Sequence, residues 1–181
     1  DRAVQSRGEP FRMLGDPRMV GGGLQREVES YLQPEGMGLR HECVEVLDGA
    51  QFRMDGGRAL VDNMPCDCGR NVRKLADISK RSGVHIVACT GLHLPKYYDP
   101  GHWSWHYSDE QLVELFVAEI DKGIDANDYT GPIVKRTKFR AGAMKVATGV
   151  AGFTERDERM FQIAAEVHKQ TGCPIVTHTE R

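Results

Sequence analysis

From Arg58 onward, four short apolar runs alternate with three amphipathic segments, and this alternation constrains the fold more than anything else in the 181-residue chain. The runs at 59–62, 84–91, 141–148 and 174–179 are close to continuously apolar, as expected of strands covered on both faces. Between them, 71–82 places Val72, Leu75, Ala76 and Ser79 on one helical face, with Gly83 as its stop. Ser108 and Gln111 form a capping-box signature. The helix they open carries Leu112, Leu115, Phe116 and Ile120 inward and Glu110, Glu114 and Glu119 outward, ending at Gly123. Thr154 caps a third helix that runs through Thr171. Strands and helices in strict alternation give a parallel sheet covered by helices. No G-x-G-x-x-G follows a strand, so a (β/α) barrel is expected over a dinucleotide-binding fold.

The region before this pattern is less regular. The triple glycine at 21–23, Pro34, Gly36 and Gly38 interrupt any long element. A short helix is expected from about residue 42 to 54, stopped by Gly56-Gly57. The chain therefore reads as an irregular N-terminal segment, 1–55, with a degenerate first-strand region, followed by a partial barrel domain, 56–181. The triple glycine lacks the Lys-Ser/Thr of a phosphate loop.

A formal charge of −2 and a pI near 6.4 argue against nucleic acid as a partner. No apolar run approaches the roughly 20 residues of a membrane helix, and no signal peptide is visible. Five scattered cysteines, three of them in or beside expected strands, suit a reducing compartment. The expected location is cytoplasmic. Cys66-x-Cys68 has the wrong spacing for a zinc knuckle and reads as a pair of loop thiols.

The chemistry centres on one lysine inside an apolar strand. Alternation along 141–148 puts Ala143, Lys145 and Ala147 on one face and Met144 and Val146 on the other. An ammonium there is costly, so it must reach water or change its chemistry. One helix later His178 sits near the end of the next strand, and barrels keep their reactive groups at such strand ends. A snorkelling lysine and a satisfied core histidine are the plain readings. The sharper one is metal ligation: a neutral amine adds carbon dioxide to give a carbamate able to bridge two cations, and histidine supplies a neutral nitrogen.

Six segments taken in order carry a resemblance: G-G-R-A-L-V-D (56–62), G-R-N (69–71), V-H-I-V-A-C-T-G (84–91), E-L-F-V-A-E-I (114–120), R-A-G-A-M-K-V-A-T (140–148) and T-G-C-P-I-V-T-H-T (171–179). Together they resemble the phosphotriesterase family of the amidohydrolase superfamily over about 125 residues. The resemblance implies a (β/α)8 TIM-barrel fold, here incomplete, with about strands 2–5 and their helices present. It implies two divalent metal ions, usually zinc, bridged by carboxylated Lys145, with His178 as a further ligand. His93 falls where the family keeps a residue lining the substrate pocket. The implied activity is zinc-dependent hydrolysis of a small-molecule ester, lactone or organophosphate, lactones being favoured, in a chain expected to form a homo-oligomer.

Two departures stand beside this. The family opens on a strand bearing His-x-His, whereas the matching region here reads Asp16-Pro17-Arg18-Met19-Val20-Gly21; His41-Glu42-Cys43 resembles half of that motif. The family's later metal histidine and catalytic aspartate would fall beyond residue 181, so the chain reads as a truncated member. The alternative expectation is accordingly a catalytically silent relative that acts as a binding or assembly partner, or an incomplete gene product. The loop 92–107, rich in His, Trp and Tyr, is expected to overhang the barrel mouth as an aromatic wall or to pack against its rim. His93, His102 and His106 within it are a further candidate metal set. Lys135, Arg136, Lys138 and Arg140 form either a solvated loop or an anion-attracting patch.

Overall fold

The computed structural model of the chain describes residues 48–150 and 152–180. His41 and the beginning of the expected helix at 42 lie outside the described residues. The element order is α1 (48–54), β1 (Ala59–Asp62), α2 (Val72–Ser82), β2 (His85–Gly91), α3 (Asp109–Asp121), β3 (Ala143–Thr148), α4 (Glu155–Thr171) and β4 (Ile175–Thr179). Short 3-10 turns occupy Pro95–Tyr97 and Trp103–Trp105. The strands form one sheet in the order β1-β2-β3-β4, and β2–β3 and β3–β4 pair in parallel. Each strand lies beside the next in sequence, with a helix in every crossover. This is the winding of a (β/α)8 barrel, present here as a four-stranded part of it.

Local chemistry explains the boundaries. The Ser108 side chain accepts from Gln111 N while the Gln111 side chain accepts from Ser108 N, which closes the capping box of α3. Thr154 and Asp157 make the same reciprocal pair on α4, and Gly172 ends that helix in the left-handed conformation at φ 69°.

The chain divides into two compact units. One comprises residues 48–60 with Lys74–Ile86; in it Arg53 donates to Gly83 O at 2.7 Å and His85 N to Arg58 O at 3.0 Å. The other comprises Val61–Arg73 with the described residues from Val87 onward. Its core is made by Met144 and Val146 of β3, Leu112 and Phe116 of α3, and Met160, Ile163 and Val167 of α4. Each such side chain contributes about 1.5–3 kcal/mol by leaving water. Because Met144 and Val146 face the helices, Ala143, Lys145 and Ala147 face the opposite side of the sheet, where the lumen of a barrel lies.

Two expectations are corrected. Residues 59–62 and Ile175–Thr179 are not covered on both faces: the first alternate between exposed and half-buried, with Val61 48% exposed, and of the second only Val176 is half-buried, because β1 and β4 are the outer strands of the sheet. Glu119 does not point outward. It is fully buried, three residues beyond Phe116 on the same face as Leu112, and it pairs with Arg70.

Candidate active site

Lys145 stands at the middle of β3 with 3% of its surface exposed, and its Nζ donates to the backbone oxygen of Asn63 at 2.9 Å. Burial holds its pKa below the ordinary 10.5, against the opposing pull of the Cys68 and Cys89 thiols and Asp62. The register aligns Lys145 with Gly91 of β2 on one side and Val176 of β4 on the other. Gly91 has φ 98°, and a Cβ there would lie 2.2 Å from the Lys145 carbonyl oxygen. The strand beside the lysine can therefore be only main chain at that row.

His178 pairs with Ala147 in the β3–β4 register, two residues beyond Val176, and so stands on the same sheet face as Lys145. Its ring is exposed, with the His93 ring centroid 5.7 Å away. Thus Lys145 and His178 share one sheet face, and His93 stands beside His178.

His93 is fixed from three directions. Its N–H donates to Tyr98 Oη at 2.7 Å, and its carbonyl accepts from the Arg156 guanidinium at 3.0 Å. Its ring Nδ1 accepts from Leu94 N at 2.7 Å. A backbone N–H can only donate, so the ring proton of neutral His93 resides on Nε2. Burial, then the Lys145 ammonium and His178, push the His93 pKa down to about 4.

The loop 92–107 packs against the body of the unit. Tyr98 and Trp103 lie against the main core, while Tyr97 and Tyr107 remain 52% and 40% exposed. His102 is engaged elsewhere, with Nε2 3.0 Å from Asp67 Oδ2 and Nδ1 2.7 Å from Ser104 Oγ. Among the described residues no three His, Cys, Asp or Glu side chains are gathered to hold a metal ion, so the set His93, His102 and His106 does not form one. Of the basic cluster, Arg136 is spent on Gly123 O and Tyr129 Oη, whereas Lys135, Lys138 and Arg140 are exposed.

Behind the site lies a buried network that the sequence reading missed. Arg70, in the loop between β1 and α2, donates two hydrogen bonds to the Glu119 carboxylate at 2.7 and 2.8 Å, one to Asp128 Oδ1 at 2.6 Å and one to Cys89 O at 2.6 Å. Cys66 donates its thiol proton to Glu119 Oε2 at 3.3 Å; burial, then the Glu119 charge, push that thiol well up, so it stays protonated. Asp128 Oδ2 in turn accepts from Asp67 N at 2.9 Å. These bonds hold the loop that carries Asn63 over Lys145. The signal was the i, i+4, i+7 spacing of Leu112, Phe116 and Glu119, which puts a carboxylate on an apolar face and demands a cation.

The model of the Phosphotriesterase family matches residues 25–181. The chain belongs to this family. Among its relatives, the phospho-furanose lactonase of Mycoplasmopsis synoviae is 36% identical over 72% of this family member and 38% of its own length. The aryldialkylphosphatase of Saccharolobus solfataricus is 27% identical over 98% of the chain and 52% of its own length. A crystal structure of an amidohydrolase from Mycoplasma synoviae superposes with a TM-score of 0.65 at 35% identity, over 77% of this chain and 39% of that one. This phosphotriesterase-family chain spans about half or less of the length of these relatives.

Proposed function

We propose that the chain carries the lysine-bearing part of a metal-dependent hydrolase that opens lactones, with phosphotriesters as a second substrate class. The observation that carries this reading is the Lys145 amine, buried at the lumen face in one row with Gly91 and on the same face as His178. Family membership and the two relatives, one a lactonase and one an aryldialkylphosphatase, support a hydrolase. The 36% identical lactonase favours the lactone class.

Lys145 and His178 would supply two of the ligands of a pair of divalent ions, zinc first. An amine held below its ordinary pKa is more readily neutral, and a neutral amine adds carbon dioxide with loss of one proton, leaving an anionic two-oxygen ligand. His178, exposed beside it, would supply a nitrogen. Divalent ions held by Lys145 and His178 would supply Lewis acidity toward a carbonyl or phosphoryl oxygen and would lower the pKa of a water. His93, whose Nδ1 is taken by Leu94 N so that its proton lies on Nε2, would donate a hydrogen bond to the substrate. The four free cysteines among the described residues agree with a cytoplasmic setting.

A second reading, binding without catalysis, is favoured by the segment Asp16 to Gly21, which lacks the family's paired histidines. Metal analysis separates the two. The hydrolase reading expects about two equivalents of zinc or a similar ion in the purified full chain, with lactone turnover lost on chelation and restored by the ion. In Lys145→Ala, metal content should fall to background while the far-UV circular dichroism is unchanged. Undiminished metal in that variant would refute the assignment of Lys145. A metal-free, inactive wild type would favour the silent reading.

A further inference from the structure

Lys145 and His178 are carried by strands, whereas His93 stands on a loop, and a donor on a loop is only as precise as what ties that loop down. The tie runs through one hydroxyl. Tyr98 Oη accepts from His93 N at 2.7 Å and donates to Cys66 O at 3.1 Å. Cys66 N donates in turn to Gly91 O at 3.1 Å, and Gly91 is the register partner of Lys145. A chain of hydrogen bonds thus leads from the main chain of His93 to the strand beside Lys145. Its Cys66 end is fixed, because that side chain is fully buried and bonded to Glu119 of α3.

The Tyr98 ring is seated independently of its oxygen. It packs against the main core, lies 4.5 Å from the His102 ring and meets Trp105 edge-on at 6.0 Å. His102 is anchored to Asp67, on the same loop as Cys66. Burial, then the Cys68 thiol, push the Tyr98 hydroxyl pKa far up, so its proton stays available to Cys66 O. Removing the oxygen alone leaves the ring in place and takes from His93 N its acceptor.

We infer that Tyr98 is a positioning residue, whose hydroxyl fixes the place of the His93 ring relative to the Lys145 row and so the point at which the Nε2 proton meets the substrate. This rests on the hydrolase reading, in which His93 donates to the substrate. Arg156 holds the same residue from α4, donating to His93 O at 3.0 Å while its guanidinium lies over the Trp105 ring at 5.0 Å. If Tyr98 served packing alone, its loss would act whatever stands at position 93. A positioning role makes the loss conditional on His93.

The test is a double-mutant cycle in the full chain, with Tyr98→Phe and His93→Asn, on whichever of a panel of γ- and δ-lactones the wild type turns over fastest. Tyr98→Phe should lower kcat/KM about 3–10-fold with metal content and circular dichroism unchanged. In the His93→Asn background the same change should alter it less than about twofold. Equal losses in both backgrounds would overturn the inference. A second measurement needs no turnover. In the wild type the His93 amide should exchange with solvent at least about 100-fold more slowly than an unstructured amide, and Tyr98→Phe should erase most of that protection while the amides of β3 keep theirs. A His93 amide that exchanges freely in the wild type, or stays protected in Tyr98→Phe, would also overturn it. A wild type without lactone turnover would instead end the hydrolase reading and the catalytic purpose of the tie, while amide exchange would still decide whether the tie exists.

Discussion

At the scale of single residues, the site depends on what stands beside Lys145 as much as on the lysine. Gly91→Ala forces a Cβ against the Lys145 carbonyl at a positive φ, and backbone cannot yield as a flexible side chain can. The expected loss is about 2–4 kcal/mol, read as a lower urea midpoint with an unchanged slope. His93 is argued from its ring. Gln places a donor near the Nε2 position, whereas Asn reaches only the Nδ1 position, which Leu94 N already occupies. His93→Gln should keep kcat/KM for a lactone within about threefold, and His93→Asn should lower it about 10–100-fold, the value of one lost hydrogen bond to substrate. Equal losses in both would remove the donor role. The sequence made the lysine legible because an ammonium in an apolar run is a local anomaly. It could not reveal Gly91, whose role depends on register with a strand more than fifty residues away.

At the scale of elements, the helices were the most readable part, since their caps and stops are encoded within a few residues. Thr154→Ala removes one half of the α4 box and should cost about 1 kcal/mol in chemical denaturation, with Thr154→Ser losing little. The β1–α2 loop was opaque for the opposite reason. Its anchor, Arg70, is satisfied by Glu119 and Asp128, which lie 49 and 58 residues further on. One guanidinium between two carboxylates leaves surplus negative charge in a buried place. Burial raises the Asp128 pKa from 3.8 to about 6, with Arg70 opposing and Glu119 adding to the rise. A carboxyl whose pKa is raised on folding binds its proton more tightly in the native state. Its contribution is therefore fully present below about pH 4 and is lost as pH rises through about 6. The stability difference between wild type and Asp128→Asn should accordingly shift against the wild type over that interval and level off above it. A pH-independent difference would mean that Asp128 is ionised throughout. Arg70→Met, by stranding two carboxylates, should cost about 3–5 kcal/mol.

At the scale of the whole molecule, parallel winding followed from the alternation of apolar strands and amphipathic helices, whereas the exposure of β1 and β4 did not, because burial at a sheet margin is decided by what lies alongside. If metal binds only the folded chain, zinc at about 100 times its dissociation constant should add about 2.7 kcal/mol of stability. Thermal denaturation with and without zinc reads this directly, and in Lys145→Ala the two curves should coincide. No helix among the described residues is long and apolar enough to cross a membrane.

The glycine facing Lys145 also divides the labour of diversification. Between β2 and β3 only main chain fits at that row, so under the proposed hydrolase reading selectivity would be varied in the aromatic loop that begins one residue later. Grafting that loop between relatives should exchange substrate ranges while leaving the reactive amine undisturbed. Randomising the strand row beneath it should yield mostly unfolded protein.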